Sequence, residues 1–313
     1  MNGVIVINKP AGITSHDVVS AVKKILGIKK AGHTGTLDPL ATGVLPVCLN
    51  EATKLVRFLS HDSKEYLATM LLGVKTDTLD TEGKIISQSD QIVSEAEIRA
   101  ALARMTGKIM QVPPAYSAIK YCGVPLYKWA RKGVTVEAVP REVEISHVIV
   151  EDISYPRVTF RVACSKGTYI RTLCADVGDL LGCGACLCAL HRLRCGFFSE
   201  DMAVSLMNSS SGQKKEELMA KMLPMTRLLP LLTAIEVEDT FADKLRDGFQ
   251  PSVKTMKEHV LPFLEAGDMV KFINHDGFLV AVAEMVTPVI NFSQIDEKCQ
   301  AAKIVRVFNN IQN

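Results

Sequence analysis

A single aspartate, Asp38, sits in the stretch KKAGHTGTLDPLATGVLPV, residues 29–47, with Gly32, His33, Gly35 and Gly43 around it and Pro39 directly after it. A proline steers the preceding residue away from right-handed helical backbone, so Asp38 is expected in an extended or turn conformation. The glycines permit tight turns and close approach of another backbone or a ligand. A carboxylate presented this way can take up a proton, attack an electrophilic carbon or stabilise positive charge. Taken alone, an Asp-Pro step is ordinary turn chemistry, in which the aspartate bonds its own backbone. Lysines before GHTG suit an anion, but no GxxxxGK[ST] follows, and no GxGxxG opens a helix. A nucleotide-binding loop is therefore not indicated.

Two other clusters have the right residue types for chemistry. LGCGACLCALHRLRCG holds Cys183 and Cys186 at CxxC spacing, with Cys188, His191 and Cys195 nearby. No second CxxC pair stands at a zinc-site distance, and Cys186 and Cys188 alternate with Leu187 like neighbours on a strand. Small core residues are the expectation, and no metal is. In VKTDTLDTEGK, Asp77, Asp80 and Glu82 do not keep the EF-hand spacing, so an exposed acidic turn is expected there.

Elements to position Asp38 are legible on both sides of it. Val4 to Ile7 read as a strand entering a turn at Pro10-Ala11-Gly12. Thr14 and Asp17 form a capping-box pattern, followed by Val18, Val19, Val22, Ile25 and Leu26 at helical spacing, with Gly27 as the stop. EYLATMLLG (65–73) reads as a buried strand. Ser94 and Glu97 cap a second helix that should run to Gly107. Val158, Phe160 and Val162 alternate with Arg157 and Arg161, a half-buried strand. After Gly167 a helix is expected with Ile170, Leu173, Val177, Leu180 and Leu181 inward. Strands and helices interspersed in this way predict an α+β fold with a mixed, mainly antiparallel sheet. The polar run MNSSSGQKKEELMAK (207–221) is the expected linker, leading to a small β-rich domain from about residue 233, in which His275-Asp276-Gly277 makes a hairpin turn.

The composition adds limits. The chain has 313 residues, 48% hydrophobic and 22% charged, with a net charge of +2, so nucleic-acid binding would need a local basic surface rather than bulk charge. Such a surface is present in YSAIKYCGVPLYKWARKGV, where Lys120, Lys128, Arg131 and Lys132 interleave with Tyr116, Tyr121, Tyr127 and Trp129. That mixture suits phosphate contact and stacking on unpaired bases, and equally an amphipathic helix with a wet basic face. Nine cysteines, several in apolar settings, fit reduced thiols. No apolar run reaches membrane-spanning length, and MNGVIVINKPAG lacks the features of a signal peptide. A cytoplasmic monomer is expected.

Six collinear blocks then carry a resemblance. They are KPAGITS (9–15), GHTGTLDPLATGVLPVCLNEATK (32–54), KEYLATMLLGVKTDTLDTEG (64–83), VPPAYSAIKYCGVPLYKWARKG (112–133), CSKGTYIRTLCADVG (164–178) and LHRLRCGFF (190–198). Together they closely resemble the bacterial tRNA pseudouridine synthase B (TruB) family, which isomerises the uridine at position 55 in the T-arm loop of tRNA. The resemblance implies Asp38 as the catalytic aspartate and Tyr66 against the target base. It implies Tyr169 and Arg171 in the same pocket, with Arg171 paired to Asp38. Lys54 and Leu190 would complete that pocket, and His33 would lie against the RNA where the base is extruded. It further implies a pseudouridine synthase catalytic domain over 1–232, an RNA-gripping insertion at about 108–142 carrying Lys120, Tyr121, Lys128, Arg131 and Lys132, and a PUA-like RNA-binding domain over 233–313. The reaction breaks the N1–C1′ bond, rotates the base and rejoins it through C5. Atoms and electrons balance, so no cofactor is expected. A base buried in an RNA loop must be flipped out to be reached, and an aromatic face can receive it. A non-catalytic tRNA-binding or folding protein using the same cleft is the alternative.

Overall fold

The computed structural model describes residues 1–59, 63–134, 136–206 and 211–309. The chain opens with β1 (Gly3–Lys9), α1 (Ser15–Leu26), β2 (Ala31–His33), β3 (Thr42–Leu49), a 3-10 turn over Asn50–Leu55 and the single turn α2 (Val56–Leu59). Then come β4 (Lys64–Leu72), the hairpin β5 (Val74–Thr76) and β6 (Ile85–Gln88), α3 (Glu95–Ala103) and β7 (Gly107–Gln111). An excursion with the small hairpin β8 (Lys120–Tyr121) and β9 (Val124–Pro125) and the short α4 (Leu126–Ala130) precedes the long pair β10 (Arg141–Ser154) and β11 (Arg157–Cys164). Next are α5 (Ile170–Leu180), β12 (Ala185–Cys195), β13 (Phe198–Ser199), β14 (Val204–Ser205), α6 (Ser211–Ala220) and β15 (Leu223–Pro224). The C-terminal part holds β16 (Thr233–Val237), α7 (Asp239–Arg246), α8 (Val253–Lys257), β17 (Met269–Asn274), β18 (Leu279–Met285) and β19 (Ala302–Val307).

The main sheet has the order β14-β1-β3-β12-β4-β11-β10-β7, with β2, β13 and β15 paired at its flanks. Among the described residues, β1/β14 and β3/β12 run parallel in it and the other pairs are antiparallel. This is the α+β, mainly antiparallel architecture that the pattern predicts. The central place of β12 matters for the site. Its register sets His191 and Arg192 beside Thr42 and Gly43 of β3 on one side, and Arg192 opposite Tyr66 of β4 on the other. Helices α1, α3 and α5 cover one face through Val18, Val22, Ile98, Leu102, Leu173 and Val177.

Local chemistry explains most boundaries. Thr14 and Asp17 close the predicted capping box of α1, and Gly27 ends it in left-handed backbone at φ +67°. Ser94 and Glu97 close a second box on α3. That helix stops at Ala103 rather than running to Gly107, because Met105 and Thr106 already make tighter turns back to Leu102 and Ala103. Gly107, at φ +101°, begins the next strand instead. In α5 the inward face is carried by Ile170, Leu173 and Val177 as expected, but Leu180 is 46% exposed. The chain turns back at Gly182 into β12 on the Gly178 side of the helix, where Gly184 N–H donates to the Gly178 carbonyl, and Leu180 is left uncovered.

The expected linker divides in two. Residues 207–210 lie outside the described residues, and the remainder forms α6, which packs Leu218 into the main core and anchors the buried Lys214 on the Ser205 carbonyl. The connector to the C-terminal sheet is instead the stretch 225–232. Beyond it stands a separate four-stranded sheet, β16-β17-β18-β19, with its own core around Phe241, Leu245, Val253 and Phe272. Asn274–Gly277 turn tightly between β17 and β18, with Gly277 at φ +75°, as the hairpin reading expects. The two sheets share a third apolar cluster, in which Val4, Val6, Val44 and Leu55 meet Leu279, Val282 and Phe308. Among the described residues no helix is long and apolar enough to cross a membrane.

Candidate active site

Asp38 lies in the connection between β2 and β3, and that connection is fastened from two sides. From below, Lys9 Nζ donates to the carbonyls of Ala41 at 2.6 Å, Pro10 at 2.9 Å and Pro39 at 3.2 Å. Ser15 Oγ accepts from Leu37 N–H at 2.8 Å, and the Gly12 N–H donates to the Pro39 carbonyl at 2.9 Å. Burial pushes Lys9 down to about 8, against the attraction of Asp38. From the sheet side, Arg192 Nε donates to the Val44 carbonyl at 2.7 Å and Nη2 to the Gly35 carbonyl at 3.1 Å. Gly43 is the glycine this closure requires. It stands at φ +100°, and a Cβ there would lie 2.3 Å from the Arg192 carbonyl oxygen.

Arg171 reaches the same carboxylate from the first turn of α5. It is 4% exposed. Its Nη1 donates to the Thr78 carbonyl at 2.8 Å and its Nη2 to the Tyr116 carbonyl at 2.9 Å. Nη2 also donates to Asp38 Oδ1 at 3.3 Å, while Nε lies 2.9 Å from Oδ2 without hydrogen-bond alignment. On the far side, Asp80 Oδ2 stands 3.7 Å from Nη1. The start of the helix is fixed by Gln111, whose side chain exchanges two hydrogen bonds with the Tyr169 backbone. A cation at a helix N-terminus is unfavourable by itself, and the two carboxylates offset that cost. One guanidinium thus ties together the Asp38 loop, the 78–80 turn and the excursion at Tyr116.

These groups wall a cavity of about 680 Å³, into which Asp38, Tyr66, Tyr169, Arg171, Leu190 and Arg192 all bring surface. Tyr66 is buried on β4, and burial pushes its hydroxyl up to about 12, against the pull of Arg192. Tyr169 is half-buried and also raised by burial, with Ser117 opposing and Asp38 adding to the rise. Lys64, Lys166 and Arg131 stand on the same wall. The cavity offers one carboxylate held by a fixed cation, aromatic and aliphatic surface for a flat ring, and basic groups toward its rim.

The sequence-predicted residues fall into four groups. Asp38, Tyr66, Tyr169, Arg171 and Leu190 converge. His33 ends β2 and is not among the residues that line the cavity; it is half-buried, its Nδ1 without a partner and its pKa lowered by burial, then by Arg192. Lys54 does not join the pocket. It pairs with Glu51 at 2.6 Å and donates to the Val307 carbonyl at 3.1 Å, so it fastens the end of β19 to the 3-10 turn after β3. That turn follows the β3 backbone away from Asp38, which a reading of the linear motif does not reveal. Lys120, Tyr121, Lys128, Arg131 and Lys132 are all exposed on the excursion, with Arg131 over the Tyr127 ring and Lys132 over Trp129. Thr135 of the expected insertion lies outside the described residues.

Three residues that sequence reasoning left without a role prove central. Lys9 and Arg192 are buried charges holding the Asp38 loop. Asp80 is no exposed acidic turn: it is 5% exposed, its Oδ1 accepting from Thr78 Oγ1 at 2.6 Å and from Glu82 N–H at 3.2 Å. Along β12, Cys186 is buried and Cys188 half-buried on either side of Leu187. Among the described residues no three His, Cys, Asp or Glu side chains converge as metal donors.

Solved structures share this architecture. A Cbf5-Nop10-Gar1 complex matches with a TM-score of 0.72 and 29% identity, covering 98% of this chain and 85% of that one. An H/ACA RNP bound to a substrate RNA containing 2′-deoxyuridine matches at 0.71 and 27%, covering 99% and 86%. The fold is that of the pseudouridine synthases. The family model described as TruB family pseudouridylate synthase, N-terminal domain, matches residues 23–170, and that of the tRNA pseudouridylate synthase B C-terminal domain matches 171–230. The tRNA pseudouridine synthase B of Syntrophus aciditrophicus is 53% identical over 310 residues, 99% of each chain. That of Geobacter sulfurreducens is 40% identical over 310 residues, 99% of this chain and 100% of the relative. The chain belongs to the TruB family of pseudouridylate synthases.

Proposed function

We propose that this enzyme converts uridine to pseudouridine at position 55 in the T-arm loop of tRNA, with Asp38 as the acting carboxylate. The observation that carries the reading is the placement of the Asp38 carboxylate against Arg171 inside a cavity that also holds Tyr66. Breaking the N1–C1′ bond makes C1′ electron-poor, and a carboxylate fixed beside it can attack that carbon, stabilise it or take a neighbouring sugar proton. Glycoside hydrolases use a second carboxylate to manage a water molecule, a task absent here because the base rejoins the same sugar. Tyr66 and Leu190 form the surfaces between which the flipped ring fits, with Tyr169 beside them. Arg171 fixes the direction of Asp38 rather than touching the base.

The RNA lies across the excursion, where Lys120, Tyr121, Lys128, Arg131 and Lys132 meet its phosphates and unpaired bases, and His33 faces the strand from which the base leaves. Residues 1–232 act as the catalytic domain and 233–313 as a PUA-like RNA-binding module. The enzyme works as a cytoplasmic monomer without a metal. The test is incubation with unmodified tRNA transcript, followed by base-specific chemical mapping of pseudouridine. Product at the T-loop uridine, lost in Asp38→Asn while RNA binding survives, is the expected result. Undiminished turnover by Asp38→Asn overturns the site, and wild-type protein that binds the T-arm without forming product favours a binding-only role.

A further inference from the structure

Arg192 brings a positive charge into the interior, and among the described residues no carboxylate pairs with it. It is 1% exposed and among the largest fully buried side chains. Its hydrogen bonds go to neutral carbonyls, those of Val44 and Gly35. Among the described residues no ion pair includes it, whereas the other buried arginine of the cavity, Arg171, is matched by Asp38 and Asp80. Its field is felt nearby, since it helps lower the pKa of both Lys9 and His33. A buried charge without a counterion destabilises a fold, and an apolar side chain would fill the same space at less cost. The β4/β12 ladder holds this charge directly opposite Tyr66, at the wall of the cavity.

The isomerisation proposed above creates a need for such a charge. When the N1–C1′ bond breaks, its electron pair stays with the base, and C1′ is left electron-poor beside Asp38. The detached uracil is then an anion, delocalised over N1 and its two carbonyl oxygens. With the base seated between Tyr66 and Leu190, the cavity walls take the place of much of the water that would solvate it. When C5 has bonded to C1′, the C5 proton leaves and N1 gains one, so the product is again neutral. The negative charge on the base is transient. We propose that Arg192 supplies the positive field that holds the departing uracil as an anion, in part through the Tyr66 hydroxyl, until C5 rejoins C1′. The inference rests on the isomerase reading and assigns Arg192 to the base, as Asp38 is assigned to the sugar. A fixed charge needs no reorganisation at the moment of reaction, which makes this kind of stabilisation effective in a closed site.

The test compares two T-arm stem-loop RNAs, one with uridine and one with 5-fluorouridine at the target position. Fluorine makes the base more acidic, so its anion depends less on outside help. Single-turnover consumption of each target nucleoside is measured for wild type, Arg192→Met and Arg192→Lys, with RNA affinity and circular dichroism in parallel. Arg192→Met is expected to slow uridine consumption about 100-fold. The loss on 5-fluorouridine should be at most about a tenth of that, with RNA affinity changed by less than about threefold. Arg192→Lys, which keeps the charge but not the fork, should fall between wild type and Arg192→Met on uridine. Equal losses on both RNAs overturn the proposal, because a merely structural role slows both alike. If Arg192→Met does not fold, the same comparison of Arg192→Gln with wild type decides, a uridine-selective loss supporting the proposal and an equal loss or none overturning it. Wild-type protein that makes no pseudouridine at all refutes the isomerase reading instead, a distinguishable outcome.

Discussion

Arg171 meets Asp38 with Nε 2.9 Å from one carboxylate oxygen and Nη2 3.3 Å from the other, although 133 residues separate them in the chain. The geometry depends on a planar fork, because the Thr78 and Tyr116 carbonyls hold the same guanidinium in place. A lysine ammonium cannot serve all these acceptors from one position. Arg171→Lys should therefore lower the single-turnover rate constant by about 100-fold while RNA affinity stays within about threefold. A variant as fast as wild type would show that the pairing does not set the direction of Asp38.

Asp80 backs the same guanidinium from the opposite side. With 5% exposure and two hydrogen bonds to its Oδ1, it belongs to the interior network rather than to the surface. Asp80→Asn keeps the shape and removes the charge. It should cost about 1–3 kcal/mol in urea unfolding and about tenfold in rate, since Arg171 is left less neutralised. Wild-type stability and rate together would make Asp80 a bystander.

Much of this was legible before the structure, and the exceptions follow a rule. The boxes Thr14/Asp17 and Ser94/Glu97 act within a few residues, so their chemistry is complete in the sequence. The convergence of Asp38 with Tyr66, Tyr169, Arg171 and Leu190 came from the family resemblance, because contacts across a sheet leave no local trace. The gaps lie where a charged residue is normally exposed. Asp80 is expected in an exposed turn, and Lys9 and Arg192 have no expected role at all, yet each is buried by elements distant in sequence. Lys54 failed differently: its motif is contiguous with Asp38, but eight residues of β3 carry it to the other end of the strand.

Lys9 gives the fold a pH dependence of known sign. Burial lowers its pKa from 10.5 to about 8. Below about 8 both folded and unfolded chains hold the proton, and between there and 10.5 only the unfolded chain does. The unfolded state binds more protons in that window, so the contribution of Lys9 to stability rises with pH and is lost as pH falls through about 8. Thermal melts should show the difference, wild type minus Lys9→Met, growing as pH is raised from 8 toward 10.5. A constant difference would mean that Lys9 keeps an ordinary proton affinity in the fold.

Lys54 is expected to matter for stability and not for chemistry. It closes a junction in which Glu51 also accepts from the Asn309 N–H at 2.8 Å. Lys54→Ala should cost about 1 kcal/mol in chemical denaturation. At saturating RNA its single-turnover rate should match wild type within about twofold, because no atom of the cavity depends on it. A large loss of rate with unchanged stability would return Lys54 to the reacting centre.

The basic excursion can be separated from the chemistry by salt. Lys128 and Lys132 are exposed and outside the cavity wall, Lys132 lying 5.8 Å from the Trp129 ring centroid. If each neutralises one phosphate, removing both should make the slope of log affinity against log salt less negative by about 1.4 to 1.8, since each phosphate contact contributes about 0.7 to 0.9. The double variant Lys128→Ala/Lys132→Ala should bind the T-arm more weakly at low salt and converge on wild type at high salt. Its rate at saturating RNA should be unchanged, because neither ammonium reaches Asp38. An unchanged salt slope would mean that neither lysine meets a phosphate, and the phosphate contacts would have to be sought on the Lys64 and Lys166 rim instead.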